Sequence, residues 1–290
     1  MTSKSLWSLF RRPLVAFVMI MLVIGAGLRP AEKVNDLRLY ALDCGRAQFG
    51  DLAMFSDTGE YDGRSGTLAV PCFLIRHPKG DLLWDAGIGD EYLAEKKADA
   101  NGSGIHLTLQ ATLAQQLSTL GMTPADISYL AFSHLHFDHT GNANLFSSAI
   151  WILNQKELDW ALGNPTPEGV NPSSFSSFRA VKDKKMIDGD YDVFGDGSVR
   201  ILRTPGHTPG HQVLEIKLKN TGTVILSGDL YHLRESYVRH RVPGFNYNRA
   251  DTLASMDRID RIITNAKARL VVQHDLADFN ALPKFPEYLN

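Results

Sequence analysis

Apolar and polar side chains alternate along DLRLYALDCG (residues 36–45), the two-residue period of a strand. GTLAVPCFLIRHPKGDLLWDAG (66–87) predicts two more strands, 68–76 and 81–84, joined through the turn residues Pro78, Lys79 and Gly80. The period then changes. In LTLQATLAQQLSTLG (107–121), Leu109, Leu113, Leu117 and Leu120 recur at helical spacing and Gly121 ends the helix. DISYLAFS (126–133) is an apolar strand, and a short one follows at 150–153, with a polar helix beginning near Gln155. Pro, Ser and Asn crowd residues 164–178, which predicts a surface loop. Strands resume at 191–194, 199–203, 211–217 and 223–226. ADTLASMDRIDRIITNA (250–266) is a helix with Ile259, Ile262 and Ile263 on its apolar side, and ARLVVQHD (268–275) is a last strand. Strands come in two batches, each followed by helical segments, without a break in hydrophobicity between them. That predicts one layered α/β unit of two similar halves rather than independent domains.

One stretch fits neither period. LVAFVMIMLVIGAGL (14–28) is uninterrupted apolar sequence behind the basic KSLWSLFRRP, and it ends in the small residues Gly25, Ala26 and Gly27. As a helix it rises ~22 Å, short of a ~30 Å bilayer core. Residues 1–32 therefore read as a signal peptide, or, since no clean small-x-small cleavage site stands out, as an uncleaved N-terminal membrane anchor. The domain at 33–290 is then periplasmic or secreted, and held at the inner membrane if the segment is retained. Export bears on Cys44 and Cys72, which either pair in an oxidising compartment or lie apart as small buried hydrophobes. The 290 residues suit one large domain or two small ones, and a formal charge of -2 with no long basic run predicts no nucleic-acid partner.

The chemistry concentrates in SHLHFDHTGN (133–142), which places His134, His136, Asp138 and His139 where a strand runs out into a loop or helix. Buried imidazoles need partners for their ring nitrogens, so four such groups together point to metal rather than to filling. TPGHTPGH adds His207 and His211, LSGDLYH adds Asp229, and VVQHD adds His274, each beside a predicted strand. Five histidines and two carboxylates suffice for two zinc ions with room for a shared hydroxide. His211 reads as a support for the site, His77 as a partly exposed structural residue, and His106 and His240 stand apart. Gly141, Gly206 and Gly210 serve close turns.

In order and spacing these segments resemble the metallo-beta-lactamase superfamily across essentially all of the mature chain. The resemblance implies a four-layered αβ/βα sandwich. It assigns His134, His136 and His207 to one zinc, Asp138, His139 and His274 to the other, and Asp229 to the bridge between them. Asp85 in LLWDAG resembles a family position that supports the metal loops.

LDCG (42–45), VPCFLIRHPKGDLLWDAG, SHLHFDHTGN, TPGHTPGHQ and SGDLYH resemble more closely the N-acyl homoserine lactonases, the quorum-quenching enzymes of this superfamily. Thioester hydrolases of the glyoxalase II type share the first cluster but carry an added helical domain, and beta-lactamases of this fold commonly place cysteine where Asp229 stands. The resemblance implies hydrolysis of the lactone ring by a metal-bridging hydroxide, with Asp138 carrying the proton to the leaving alkoxide. In family members a tyrosine three residues after the bridging aspartate touches the substrate carbonyl. Here that position is His232, whose imidazole would donate to the developing oxyanion. Tyr231 reads as a core aromatic. Residues 53–66 and the 164–178 loop are the expected walls for an acyl chain, with Met54, Phe55, Phe137 and Phe175 as contacts; Phe245 and Tyr247 are no better placed. The other substrate classes compatible with this chemistry are general lactones, esters and beta-lactams. A homodimer is expected from the family, and a purely structural or binding protein has no need of a paired-metal nucleophile.

Overall fold

The computed structural model describes residues 34–93 and 104–290. The proposed signal or anchor, residues 1–32, lies outside the described residues, among which no helix is long and apolar enough to cross a membrane. Strands β1 (Arg38–Phe49), β2 (Gly66–His77) and β3 (Gly80–Trp84) form an antiparallel meander, and β4 (Ile105–Thr108) pairs with the free side of β1. Strands β5 (Tyr129–Ala131), β6 (Ile150–Asn154) and β7 (Lys184–Ile187) continue beyond β3 in parallel, giving a seven-stranded sheet in the order β4-β1-β2-β3-β5-β6-β7. A second sheet runs β12-β11-β10-β9-β8, built from β8 (Tyr191–Asp192), β9 (Val199–Arg203), β10 (Gln212–Leu218), β11 (Gly222–Leu226) and β12 (Arg269–Val271). Helices are α1 (Leu113–Thr119), α2 (Phe137–Thr140), α3 (Gln155–Ala161), α4 (Arg234–Arg239), α5 (Arg249–Ala266) and α6 (Leu276–Asn280).

The period-two pattern sorts side chains between layers. Leu39 and Ala41 of β1, Phe73 and Ile75 of β2, and Leu82 and Trp84 of β3 meet Ile201, Leu214, Ile216, Val224 and Leu226 between the two sheets. The alternate residues Tyr40, Leu42, Leu74 and Leu83 face away, against Leu113 and Leu117 of α1 and Leu158 of α3. On the far side of the second sheet, Val213, Ile225 and Leu270 pack on Met256 and Ile259 of α5. Both faces of both sheets are therefore covered, which is the αβ/βα sandwich expected from the resemblance.

Several elements differ from the sequence reading. The helix expected across 107–121 begins only at Leu113, because Leu107 and Leu109 also fit a two-residue period and are taken by β-pairing: Leu107 pairs with Ala47, and Leu109 bridges to Leu93. Thr112 caps the shortened helix in a reciprocal box with Gln115. The strand expected at 126–133 shrinks to β5, preceded by a 3-10 turn at Pro124–Asp126. Strands β4 and β7 escaped notice, being four residues each at the two edges of the sheet; β7 carries exposed Lys184 and Lys185, as edge strands often do. Cys44 and Cys72, on the neighbouring strands β1 and β2, are joined in a disulfide with Cα atoms 5.6 Å apart.

A candidate dinuclear metal centre

The parallel strands β3 and β5 of the first sheet, and the parallel pair β11 and β12 of the second, end at one edge of the sandwich and release the site residues there. Asp85 follows β3, the 133–139 segment follows β5, Asp229 follows β11 and His274 follows β12. His207 lies between β9 and β10. Backbone hydrogen bonds lock the two sheets together at this edge: the Gln212 amide donates to Ser133 O at 2.8 Å, and the Ala69 amide to His274 O at 3.0 Å. Carboxyl ends of parallel strands are where α/β proteins gather functional groups, since the loops there are free of sheet pairing.

All seven predicted ligands meet in two groups, His134, His136, His207 and Asp229 in one, Asp138, His139 and His274 in the other. In the first, His134 Nε2 lies 2.8 Å from His136 Nδ1, and His207 Nε2 lies 3.2 and 3.1 Å from those two atoms. In the second, His139 Nε2 is 3.2 Å from His274 Nε2, and Asp138 Oδ2 is 3.7 and 3.6 Å from the same pair. Asp229 stands between them. Its Oδ1 is 3.1 Å from His139 Nε2 and 2.9 Å from His274 Nε2, while its Oδ2 is 3.6 Å from His134 Nε2 and 3.4 Å from His207 Nε2. Each carboxylate oxygen thus serves one group.

The far ring nitrogens are committed elsewhere, which decides which nitrogen faces the centre. His274 Nδ1 donates to Ala69 O at 2.7 Å, His139 Nδ1 to Asp85 Oδ2 at 3.0 Å, and His134 Nδ1 to Ser133 Oγ at 3.1 Å. The Nε2 atoms of all three therefore face inward, the arrangement in which outer partners fix a ligand's orientation. Asp85 supports the site as expected, holding the Ser133 amide at 2.7 Å and the Gln273 side-chain amide at 3.0 Å besides His139. It does so from a left-handed backbone, φ 61°. His211 also behaves as a support. Its Nδ1 donates to Thr204 O at 3.0 Å and its Nε2 accepts the Asp229 amide at 2.9 Å.

Electrostatics separate the two groups. Burial, then neighbouring imidazoles, keeps His134 and His207 well below the usual histidine range, and burial brings His136 down to about 4. Burial also opposes charge on His139 and His274, but Asp229 and Asp138 overcome it and hold both above that range. Burial would raise Asp229; His274, His139 and His134 instead hold it well below the ordinary carboxylate value. Three ring nitrogens of imidazoles kept from protonation by burial, converging about 3 Å apart, and a buried Asp229 Oδ1 without an aligned hydrogen bond, form a donor set that fits divalent cations.

A cavity of about 810 Å³ opens over this centre. Asp138, Asp229, His136, His207, His232 and His274 line it where it meets the centre; Phe49, Phe55, Leu68, Ile88, Ile105, Phe137 and Phe245 form one apolar cluster along it, and Trp160, Val170 and Tyr247 also line it. Met54, Phe55 and Phe137 are where the sequence reading put them. Phe175 is not: it is 2% exposed and packed in the core beside α3, so the 164–178 loop presents Gly169 and Val170 to the cavity instead. Phe245 and Tyr247, given no special place by sequence, line the wall. His232 Nε2 is 3.1 Å from Asp229 Oδ2 and its ring lies parallel to His274, 5.8 Å away. Tyr231 is a core aromatic, fully buried with its hydroxyl donating to Asp260 at 2.9 Å. His77 is buried rather than partly exposed, stacked on Phe194 at 3.9 Å. His106 and His240 lie away from the centre, on β4 and at the C-terminal cap of α4. Sequence reasoning missed Gln273, whose side chain joins Trp84, Gly228 and Asp85 across the two sheets; its only signal was adjacency to His274.

An αβ/βα sandwich carrying two histidine–carboxylate groups joined by one aspartate is the class of metal-dependent hydrolases with a paired-cation site. The family model of the metallo-beta-lactamase superfamily matches residues 65–274, and the chain belongs to that superfamily. Within it the chain is closely related to the N-acyl homoserine lactonases. It is 28% identical over 268 residues to N-acyl homoserine lactonase AttM of Azorhizobium caulinodans, covering 88% of this chain and 99% of the relative. It is 28% identical over 260 residues to N-acyl homoserine lactonase AiiA of Bacillus thuringiensis subsp. kurstaki, covering 87% and 98%. Among solved structures, an N-acyl homoserine lactone hydrolase with the product N-hexanoyl-L-homoserine at its catalytic metal centre superposes with a TM-score of 0.76 at 27% identity, covering 88% of this chain and 100% of that one.

Proposed function

We propose that this protein is a dinuclear zinc hydrolase that opens the lactone ring of N-acyl homoserine lactones. The observation that carries the reading is the division of Asp229 between two histidine groups beneath one largely apolar cavity. His134, His136 and His207 would hold one ion, Asp138, His139 and His274 the other, with Asp229 shared. When bound, such a pair supplies Lewis acidity toward the carbonyl and an acidified water as nucleophile. The remaining work falls to the chain. Asp138, whose side chain is 18% exposed and faces the cavity, would carry the proton to the alkoxide released as the ring opens. His232, which lines the cavity and whose buried Nε2 lies near Asp229 Oδ2 without an aligned hydrogen bond, would donate to the carbonyl oxygen. The apolar flank would take the acyl chain and keep water from it.

Action on other lactones, esters or beta-lactams is the second reading, favoured by one feature: an imidazole, His232, stands where the resemblance implies a phenol. For location, we propose an extracytoplasmic enzyme. The Cys44–Cys72 disulfide supports this, because such bonds persist in oxidising compartments. A homodimer, proposed from the resemblance, is checked by sedimentation.

The test is hydrolysis of short- and long-chain N-acyl homoserine lactones by the zinc-loaded protein, beside an aryl ester and a beta-lactam. Metal-dependent opening of the homoserine lactones well above the comparators is expected. D138N, compared with the native protein at its measured zinc content, is expected to lose about a hundredfold or more in kcat. A faster ester or beta-lactam reaction would move the substrate to the second reading, and full activity of D138N with both zincs would remove Asp138 from the proton transfer.

A further inference from the structure

Helix α3 begins in the notch between the two loops that carry His134, His136 and His207. Glu157, at the third position of that helix, is 3% exposed. A glutamate at this position ordinarily reaches back to the amide of the cap residue. Here Asn154 caps the helix alone, accepting from the Lys156 and Glu157 amides, and the Glu157 carboxylate turns out of the helix. Its Oε1 accepts the Leu135 amide at 2.9 Å and its Oε2 accepts the Gly210 amide at 2.9 Å. Leu135 sits between His134 and His136; Gly210 lies between His207 and His211, the latter being the residue that holds the Asp229 amide. The fit depends on glycine. A Cβ on Gly210 would lie 2.5 Å from the Glu157 amide nitrogen and from Asn154 Oδ1.

We infer that Glu157 is a positioning residue for the His134, His136 and His207 group, its two oxygens fastening the two ligand loops at the separation one cation requires. The inference rests on the metal reading above. A carboxylate is the side chain suited to the task, since it accepts through both oxygens and offers no donor. Glutamine has the same length, but its amide offers one oxygen and one NH2, so one of the two loop amides would face a donor. Aspartate keeps both oxygens but is one methylene shorter and reaches a single loop.

The experiment reads metal stoichiometry of the full chain by mass spectrometry after dialysis against graded chelator, for the native protein, E157Q, E157D and N154A. In E157Q one ion is expected to leave at a chelator concentration about tenfold or more lower than in the native protein, the range typical of groups that orient ligands, while the second is retained. The kcat value should fall with occupancy of that ion and KM should hold. N154A removes only the helix cap, so it should lower the melting temperature and keep both ions. Should E157Q fail to fold, E157D decides by the same profile. A folded E157Q or E157D that retains both ions at native chelator concentrations overturns the inference and leaves Glu157 a helix residue. A native protein that binds no metal would instead overturn the proposed function, so the two failures are distinguishable.

Discussion

At the scale of single residues, the two halves of the centre differ in how they hold protons. Burial disfavours the protonated form of His134, His136 and His207, whereas Asp229 and Asp138 favour it on His139 and His274, so a cation competes with protons more at the second group. Proton competition at a raised group begins at higher pH than at a depressed one. As pH falls, the ion of the Asp138, His139 and His274 group is therefore expected to leave first and the three-histidine ion later. Metal content against pH should fall in two separate steps, with proton release on loading confined mainly to the second group. Loss of both ions in one step would contradict this division. Four of the candidate ligands were legible from composition alone, because metal binding demands particular atoms and HLHFDH packs four of them into six residues; His207, Asp229 and His274 were assigned through the family resemblance. Glu157 was not legible. Nothing in QKELDWA separates a buried carboxylate from the solvated ones of any amphipathic helix.

At the scale of elements, the strand ends and the short helix α2 that follows β5 carry the centre, and Gln273 ties the two sheets together there. Its Oε1 accepts the Trp84 indole N–H at 3.1 Å and the Gly228 amide at 2.8 Å, and its Nε2 donates to Asp85. Q273A would leave two donors buried without partners and free one support of Asp85. A loss of about 2–4 kcal/mol in unfolding free energy is expected, measured by denaturant titration. A loss under about 0.5 kcal/mol would mean that water or a neighbour takes over these bonds. The long strands of the meander were legible from the alternation along β1 and the apolar run of β2 closed by Pro78, Lys79 and Gly80. The start of α1 was not, since Leu107 and Leu109 also fit a two-residue period, and the pairing of Leu107 with β1 and of Leu109 with Leu93 took them out of the helix.

At the scale of the whole molecule, the disulfide joins β1 to β2 over a separation of 28 residues, close to where the Ile88 amide meets Cys44 O. Closing a loop of that length stabilises the fold by about 3–4 kcal/mol in the chain-entropy account. The double variant C44S/C72S is expected to melt roughly 10 °C lower, by calorimetry, while binding the same metals. An unchanged melting temperature would show that the covalent link adds nothing to the packing of the two strands.

By itself the sequence determined the strand and helix periods and one layered α/β unit, since these depend on local pattern, while the αβ/βα sandwich and the seven candidate ligands came from the family resemblance of its motifs. Only the tertiary structure decided that Asp229 faces both histidine groups, that Cys44 meets Cys72, that Phe175 turns into the core while Phe245 and Tyr247 line the cavity, and that Glu157 joins two ligand loops. Each of these is a distance between residues far apart in the chain, and such distances are set by how two sheets pack and where their strands end.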